Sequence, residues 1–208
     1  MTMRKYWGDG TPYYTQRNNL FKPDRACGRT SLANAFDALD ISFPPCNGQP
    51  EDALGKFIQT DPECIALYMT KPKKDREKNP IEEYQDILAL GANRWAGVQA
   101  CTFDEHAPLI KIFNHLQYKG VAVVTGAFPA ANLKGYLSHS VFLRGVEWEG
   151  EGPDALVKGW TINDPWGDFR TLYRTIKGEN IPLTHEQFMR FLYKQNEIQK
   201  WCIFIAKP

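Results

Sequence analysis

Three kinds of pattern are missing from this 208-residue sequence. None of its five cysteines forms a C-x-x-C pair, which argues against a zinc knuckle or a dithiol redox site. No H-E-x-x-H arrangement joins its four histidines, so metal catalysis has little support. No stretch approaches the roughly 20 apolar residues that cross a bilayer, and the N-terminus lacks an apolar segment of signal-peptide length. We therefore expect a chain made in the cytoplasm, without metal, cofactor or membrane insertion.

An excess of charge of either sign is also missing. Lys plus Arg number 25 and Asp plus Glu number 24, which gives a net charge of +1. Such a chain has no long-range field to attract nucleic acid, so we expect no nucleic-acid partner. The densest charge cluster, residues 71–80, mixes both signs between prolines, and this favours a solvated loop. Hydrophobic residues make up 43% of the chain, enough for the core of a single domain spanning residues 1–208.

Turning to what is present, the first half of the chain has helical patterns. Apolar side chains recur there at helical spacing, and Cys27 and Gly28 stand where the first of these patterns begins. The predicted helices cover residues 29–39, 51–59, 81–90 and 105–118. Asp104 is the expected N-cap of the last helix. We interpret residues from about 51 to 99 as a helical insertion in the domain, which forms either one wall of a cleft or only a structural elaboration.

The second half of the chain has the composition of β-strands. After Gly120, runs rich in β-branched and aromatic residues are separated by glycine and proline. The predicted strands lie within residues 121–128, 138–148, 155–164, 169–176 and 200–208. A capping box, Thr184-x-x-Gln187, opens one helix between them. Helices followed by a mostly antiparallel sheet indicate the α+β class, and the cleft between the two halves is a natural place for a site.

Cys27 lies where turn-forming polar residues give way to the first amphipathic run. A thiol in the first turn of a helix meets the positive end of the helix dipole and unpaired backbone N–H groups, and both favour the thiolate. The position therefore suits a nucleophile. The alternative interpretation is a small buried cysteine that only packs.

A thiolate nucleophile needs a base, a group that orients the base, and a donor for the oxyanion. His139 stands at the predicted start of an apolar strand and is the candidate base. Asp164 ends the neighbouring predicted strand and would accept the Nδ1 proton of His139, although Asn163 could do the same and Asn-Asp-Pro is also a common turn. Gln16 offers a side-chain N–H to the oxyanion, paired with the backbone N–H of Cys27. The remaining histidines, expected to be surface or packing residues, are His106 and His115 in the helix 105–118 and His185 beside the capping box.

The order of these four residues resembles the papain-like cysteine peptidases, most closely the bacteriocin-processing (double-glycine) peptidase-like family. The matching segments are Gln16, ACGRTSLANAF around Cys27, SHSVFLRGV around His139 and INDPWG around Asp164. The resemblance implies a papain-like fold over nearly the whole chain. It also implies Cys27 as nucleophile and His139 as general base and then acid. Asp164 would orient the histidine, and Gln16 would bind the oxyanion.

The sequence departs from the family pattern at two positions. Ser138 stands where the family usually has glycine, which should be tolerated because both residues are small. Arg29 stands where proline is frequent, and its guanidinium is expected either to contact substrate or to cap the surface.

The resemblance implies a cysteine hydrolase that cleaves an amide bond through a thioester and needs no cofactor. The sequence has no membrane domain and no nucleotide-binding motif, unlike the transporter-fused members that process leader peptides. We therefore expect a stand-alone endopeptidase or amidase acting on peptidoglycan stem peptides, like a phage lysin or an injected effector that reaches the cell wall by separate delivery. The alternatives are a protein- or leader-processing peptidase, an acyl transferase of the transglutaminase type, and an inactive binding module.

Overall fold

The computed structural model describes residues 2–129, 136–192 and 201–208. Within these residues the α-helices are α1 Cys27–Ala38, α2 Pro50–Thr60, α3 Pro62–Met69, α4 Lys73–Arg76, α5 Gln85–Ala96, α6 Leu109–Tyr118 and α7 His185–Leu192. The strands are β1 Thr2–Tyr6, β2 Cys101–Asp104, β3 Gly120–Pro129, β4 Tyr136–Glu149, β5 Leu156–Asn163, β6 Ile181–Thr184 and β7 Cys202–Ala206. The predicted α+β class is confirmed.

The strands form one antiparallel sheet in the order β2-β7-β3-β4-β5-β6. The long strand β4 lies at its centre. Its first part pairs with β3, and its last five residues pair with β1 instead. On its other edge, β4 pairs with β5 only from Phe142 onward. The edge of β4 before Phe142 is therefore left open for another element.

Alternation of side chains along the strands divides the core between the two faces of the sheet. In β3, Val121 and Val123 face the core that contains α1, α2 and α5, while Ala122 and Val124 face the core that contains α6 and α7. Strand β7 alternates in the same way. The sheet is thus covered by helices on both faces, which explains why its central strands are apolar throughout.

Two predicted helices have different bounds in the structure. The helix predicted at 81–90 begins only at Gln85, after a short 3-10 turn, and continues to Ala96. The helix predicted at 105–118 begins only at Leu109, directly after Pro108. The residue before a proline disfavours the helical conformation, so the helix does not extend back to residue 105. Asp104 is not its N-cap; this residue ends β2 instead.

The predicted strand at 169–176 is wrong. These residues begin with a 3-10 turn, Phe169–Thr171, whose N-cap is the Asp168 side chain. Leu172 and Tyr173 then take the left-handed conformation, with φ of 55° and 59°. The aromatic and β-branched composition of this segment suggested a strand, but local side-chain hydrogen bonding determines its conformation.

Other local predictions are confirmed or extended. The capping box of α7 is reciprocal: the Thr184 N–H donates to Gln187 Oε1 at 2.9 Å, and the Gln187 N–H donates to Thr184 Oγ1 at 3.1 Å. The last strand is present as β7, while Lys200 at the start of that prediction lies outside the described residues. The charged segment 71–80 contains the single turn α4 on the surface. Strands β1, β2 and β6 and helices α3 and α4 were not predicted.

Candidate active site

Helix α1 begins at Cys27, whose side chain is partly buried. The chain reaches the helix through a 3-10 turn, Pro23–Arg25, that follows Lys22 in the left-handed conformation. This entry places the thiol at the helix N-terminus, as predicted, where the first N–H groups of the helix lack intrahelical acceptors. The start of α1 packs beside β4, the strand that contains His139.

His139 and Asp164 meet across neighbouring strands. His139 lies in β4 opposite Gly126 of β3, and Asp164 directly follows the last residue of β5. His139 Nε2 is 2.8 Å from Asp164 Oδ1, and the carboxylate is fully buried. The predicted contact through Nδ1 is therefore wrong: Asp164 engages Nε2. Nδ1 is then the ring nitrogen that remains for the hydrogen bond between His139 and Cys27.

The alternative orienting residue, Asn163, points elsewhere. Its Oδ1 accepts the backbone N–H of Asn180 at 2.9 Å, which ties β5 to the segment before β6. Asp164 is held in place by its own contacts: the Trp166 N–H donates to Oδ1 at 2.9 Å, and the Tyr173 hydroxyl lies 3.5 Å from Oδ2. Asp164 is therefore the carboxylate that contacts His139.

Gln16 connects the two sides of the site. Its backbone N–H donates to Pro165 O at 2.9 Å, next to Asp164, and its side-chain Nε2 donates to Pro23 O at 2.7 Å, four residues before Cys27. The side chain is buried, and its Oε1 has no hydrogen-bond partner among the described residues. An amide nitrogen carries two protons, so one N–H of Gln16 remains after the bond to Pro23.

Opposing effects set the charge state of Cys27 and His139. Burial disfavours the Cys27 thiolate, but hydrogen bonds from His139 and Ser140 and the charge of His139 outweigh it and lower the pKa of the thiol. Burial likewise disfavours the charged imidazole, but Asp164 and Cys27 outweigh it and raise the pKa of His139. Both shifts favour a thiolate–imidazolium pair, the form in which a cysteine acts as a nucleophile at neutral pH.

The insertion contributes directly to the surroundings of Cys27. A Cβ atom added at Gly28 would lie 2.7 Å from Leu88 Cδ1 and 3.5 Å from Gln85 Nε2, so α5 packs against the first turn of α1. The glycine after Cys27 is explained by this close approach.

Arg29 neither caps the surface nor lies open to substrate, contrary to both expectations. It is 1% exposed, and its guanidinium donates to the carbonyl oxygens of Phe21 and Lys22. Burial lowers the pKa of Arg29, and the nearby charges of Asp52 and Glu82 oppose this effect. Arg29 therefore holds the loop that leads into the Pro23–Arg25 turn.

The other histidines make different contacts. His115 Nε2 lies 3.0 Å from Ile205 O, and His185 Nδ1 accepts the indole N–H of Trp160 at 3.3 Å. His106 precedes α6 rather than lying within it. Over the described ranges, no group of three or more acidic, histidine or cysteine side chains is arranged to hold a metal ion. No helix in that part of the chain has both the length and the apolar character to cross a membrane.

A pocket of about 550 Å³ opens beside the segment that precedes Cys27. One wall is formed by the turn before α1 and the other by the surface of the insertion. Its lining residues are Lys22, Asp24, Arg25, Tyr68, Arg76, Glu77, Lys78 and Pro80. The walls are mostly charged and carry both signs.

The α+β architecture and a thiol, imidazole and carboxylate in contact are features of papain-like folds. No protein-family model matches the chain, and no curated protein matches it. Among solved structures, the crystal structure of a candidate C39-like peptidase from Bacillus anthracis is similar, with a TM-score of 0.56 over 98% of both chains and 16% sequence identity. At this identity the similarity shows the fold, and the chain has the fold of C39-like peptidases.

Proposed function

We propose that the protein is a cysteine peptidase or amidase that hydrolyses an amide bond through a thioester. The observation that carries this proposal is the chain of contacts from Cys27 to His139 and from His139 Nε2 to Asp164 Oδ1 at 2.8 Å. It joins a nucleophile, a base and a group that orients the base. A binding module would have no need for a thiol with a lowered pKa beside a buried imidazole–carboxylate pair.

In the proposed reaction, the Cys27 thiolate attacks the carbonyl carbon and forms the C–S bond. The oxyanion accepts hydrogen bonds from the Cys27 backbone N–H and from the remaining N–H of Gln16. His139 gives its Nδ1 proton to the leaving nitrogen as the C–N bond breaks, which leaves the thioester. His139 then removes a proton from water, and the resulting hydroxide attacks the thioester carbon. The C–S bond breaks, the acid product leaves, and the Cys27 thiolate pairs with protonated His139 again.

For the substrate, we propose a peptidoglycan stem peptide. The mixed-charge pocket beside the segment before Cys27 supports this choice, because stem peptides carry free carboxylate and amine groups on short side chains. Lys22 and Arg25 are already paired with Glu82 at 2.6 Å and Glu83 at 2.8 Å. These ion pairs fix the positions of two of the cationic side chains that line the pocket.

Incubation of isolated peptidoglycan with the purified protein, and with Cys27→Ala as control, tests both levels of the proposal. Mass spectrometry of the soluble fragments identifies the bond from its new termini. Release by the wild type alone supports a cysteine hydrolase of the cell wall. If peptidoglycan releases no fragments but the wild type alone cleaves a mixed peptide library, the substrate is a protein and not a stem peptide. Amine adducts in place of free acids would indicate acyl transfer, and no reaction on either substrate would contradict the proposed hydrolase.

A further inference from the structure

Ser140, the residue after His139, is buried beside the open edge of β4. It is 1% exposed, and its carbonyl oxygen accepts the hydroxyl of Ser31 from α1 at 3.1 Å. Because β5 pairs with β4 only from Phe142, the start of α1 occupies the edge of the sheet at this position. The hydroxyl oxygen of Ser140 lies 3.8 Å from the position of a Cβ atom added at Gly28, the residue after Cys27, and its hydroxyl and backbone both help to lower the pKa of the Cys27 thiol.

Two further groups converge on the Ser140 hydroxyl. Thr125, its partner in the ladder between β3 and β4, places Oγ1 2.7 Å from Ser140 Oγ. Gln85, the first residue of α5, donates from Nε2 to the same oxygen at 3.4 Å. Thr125 and Gln85 are themselves buried, so this cluster is closed to bulk water.

Proton counting gives this cluster a direction. A serine hydroxyl has one proton and two lone pairs, and an amide nitrogen can only donate. Gln85 therefore fills one lone pair of Ser140 Oγ. Thr125 Oγ1 lies at hydrogen-bond distance from the same oxygen, and either hydroxyl can donate in that contact. A thiolate can only accept, so a hydrogen bond from the Ser140 hydroxyl to the Cys27 sulfur uses the single proton of Ser140 and requires Thr125 to donate.

We propose that Ser140 is a further catalytic residue, which donates its hydroxyl proton to the Cys27 thiolate, and that Thr125 and Gln85 are positioning residues that direct this proton. The inference rests on the proposed role of Cys27 as nucleophile. It assigns the insertion a part in the chemistry, because Gln85 begins an insertion helix. The hydroxyl stabilises the thiolate without carrying charge of its own, beside the charged donor His139.

The charged groups that act on Cys27 come from two elements. His139 acts on it from β4, and Arg29 acts on it from two residues further along α1. Helix α5 presents the neutral side chains of Gln85 and Leu88 to the first turn of α1. A change at Ser140 therefore alters a neutral donor while the charges around the thiol stay the same.

The test is the pH dependence of Cys27 alkylation by iodoacetamide, followed by mass spectrometry of the Cys27 peptide. Exposed Cys46 in the same protein provides the internal reference rate. In Ser140→Ala, the midpoint of the titration should rise, so that alkylation below the midpoint slows by about tenfold while the rates at high pH converge. Ser31→Ala is the matched control, since it removes an equally buried hydroxyl that contacts the Ser140 carbonyl rather than the sulfur, and its profile should match the wild type.

An unchanged profile in Ser140→Ala would overturn the proposal, as would an equal shift in Ser31→Ala. Thr125→Val keeps the shape of the side chain and removes its proton, so it provides a second test if Ser140→Ala does not fold. Its alkylation below the midpoint should slow about two- to threefold, and a profile like that of the wild type would again contradict the proposal. Alkylation needs no substrate, so these results can be read even if the protein cleaves no peptidoglycan.

Discussion

His139 presents Nε2 to Asp164 Oδ1 at 2.8 Å and thereby turns Nδ1 toward Cys27. The carboxylate is fully buried and the imidazole nearly so, with 12% of its side chain exposed. Asp164 therefore fixes both the orientation of the ring and the nitrogen that carries the exchangeable proton. The reactivity of the thiol and the pH range of the proposed activity both depend on this one contact.

The first prediction concerns the ion pair between Cys27 and His139. The charge and hydrogen bond of His139 lower the pKa of the thiol against the effect of burial. In His139→Ala only burial and the hydrogen bonds of Ser140 remain, so the thiol titrates at higher pH. Alkylation of Cys27 by iodoacetamide at pH 6 should slow by at least about tenfold relative to the wild type. Equal rates at pH 6 would show that His139 does not hold the thiolate.

The second prediction separates the charge of Asp164 from its hydrogen bond. Asp164→Asn keeps an oxygen acceptor for Nε2 but removes the negative charge that raises the pKa of His139. The imidazolium then loses its proton at lower pH, so the alkaline limb of the profile of kcat/KM against pH should move down by roughly one pH unit or more. The acid limb follows the thiol and should move less.

Asn163→Ala is the comparison for Asp164→Asn. Asn163 binds the backbone of Asn180 rather than His139, so its replacement should lower thermal stability and leave both limbs in place. A shift of the alkaline limb in Asn163→Ala but not in Asp164→Asn would reverse the assignment of the orienting residue.

How much could be predicted from the sequence depends on whether local or distant residues determine a feature. The start of α1 at Cys27 is local, because a helical repeat begins there, and it was predicted to within two residues. The strands β3 and β5 were likewise apparent from their β-branched residues. The conformation of segment 169–176 was not apparent from the sequence. Asp168 caps a 3-10 turn there, whereas the composition of the segment suggests a strand.

Contacts across the fold were the least predictable part of the site. The approach of Nε2 rather than Nδ1 depends on how β4 and β5 are aligned, which a single sequence does not specify. The burial of Arg29 depends on carboxylates from the insertion, and arginine is seldom fully buried. The sequence does not indicate a role for Ser140 for the same reason, because Thr125 and Gln85 meet it only in the folded chain.

The third prediction tests Gln16 as an oxyanion donor. Gln16→Ala removes the N–H that remains after the bond to Pro23, and loss of one such donor lowers kcat by about 100-fold or more in related chemistry. Alkylation of Cys27 forms no oxyanion, so its rate should change less than about threefold. A parallel loss of both rates would show that Gln16 acts by holding the loop before Cys27, and would contradict its role as a donor.

The fourth prediction concerns a buried carboxylate away from the site. Glu51 in α2 is 1% exposed, and neither of its oxygens bonds another described residue. Burial raises the pKa of Glu51 from 4.5 to about 7, with Asp52 adding to this effect and Arg29 opposing it. Between these two values the folded state holds a proton that the unfolded state has released, so the free energy of unfolding decreases as the pH rises.

Glu51→Gln removes this titration. Relative to the wild type, the variant should therefore gain stability as the pH increases from 4.5 to 8, by an amount that levels off at about 3 kcal/mol above pH 7. Urea unfolding of both proteins at a series of pH values measures the difference. Glu77→Gln, at an exposed glutamate in the charged segment, is the control for the loss of one carboxylate. A constant difference between Glu51→Gln and the wild type would mean that folding does not raise the pKa of Glu51.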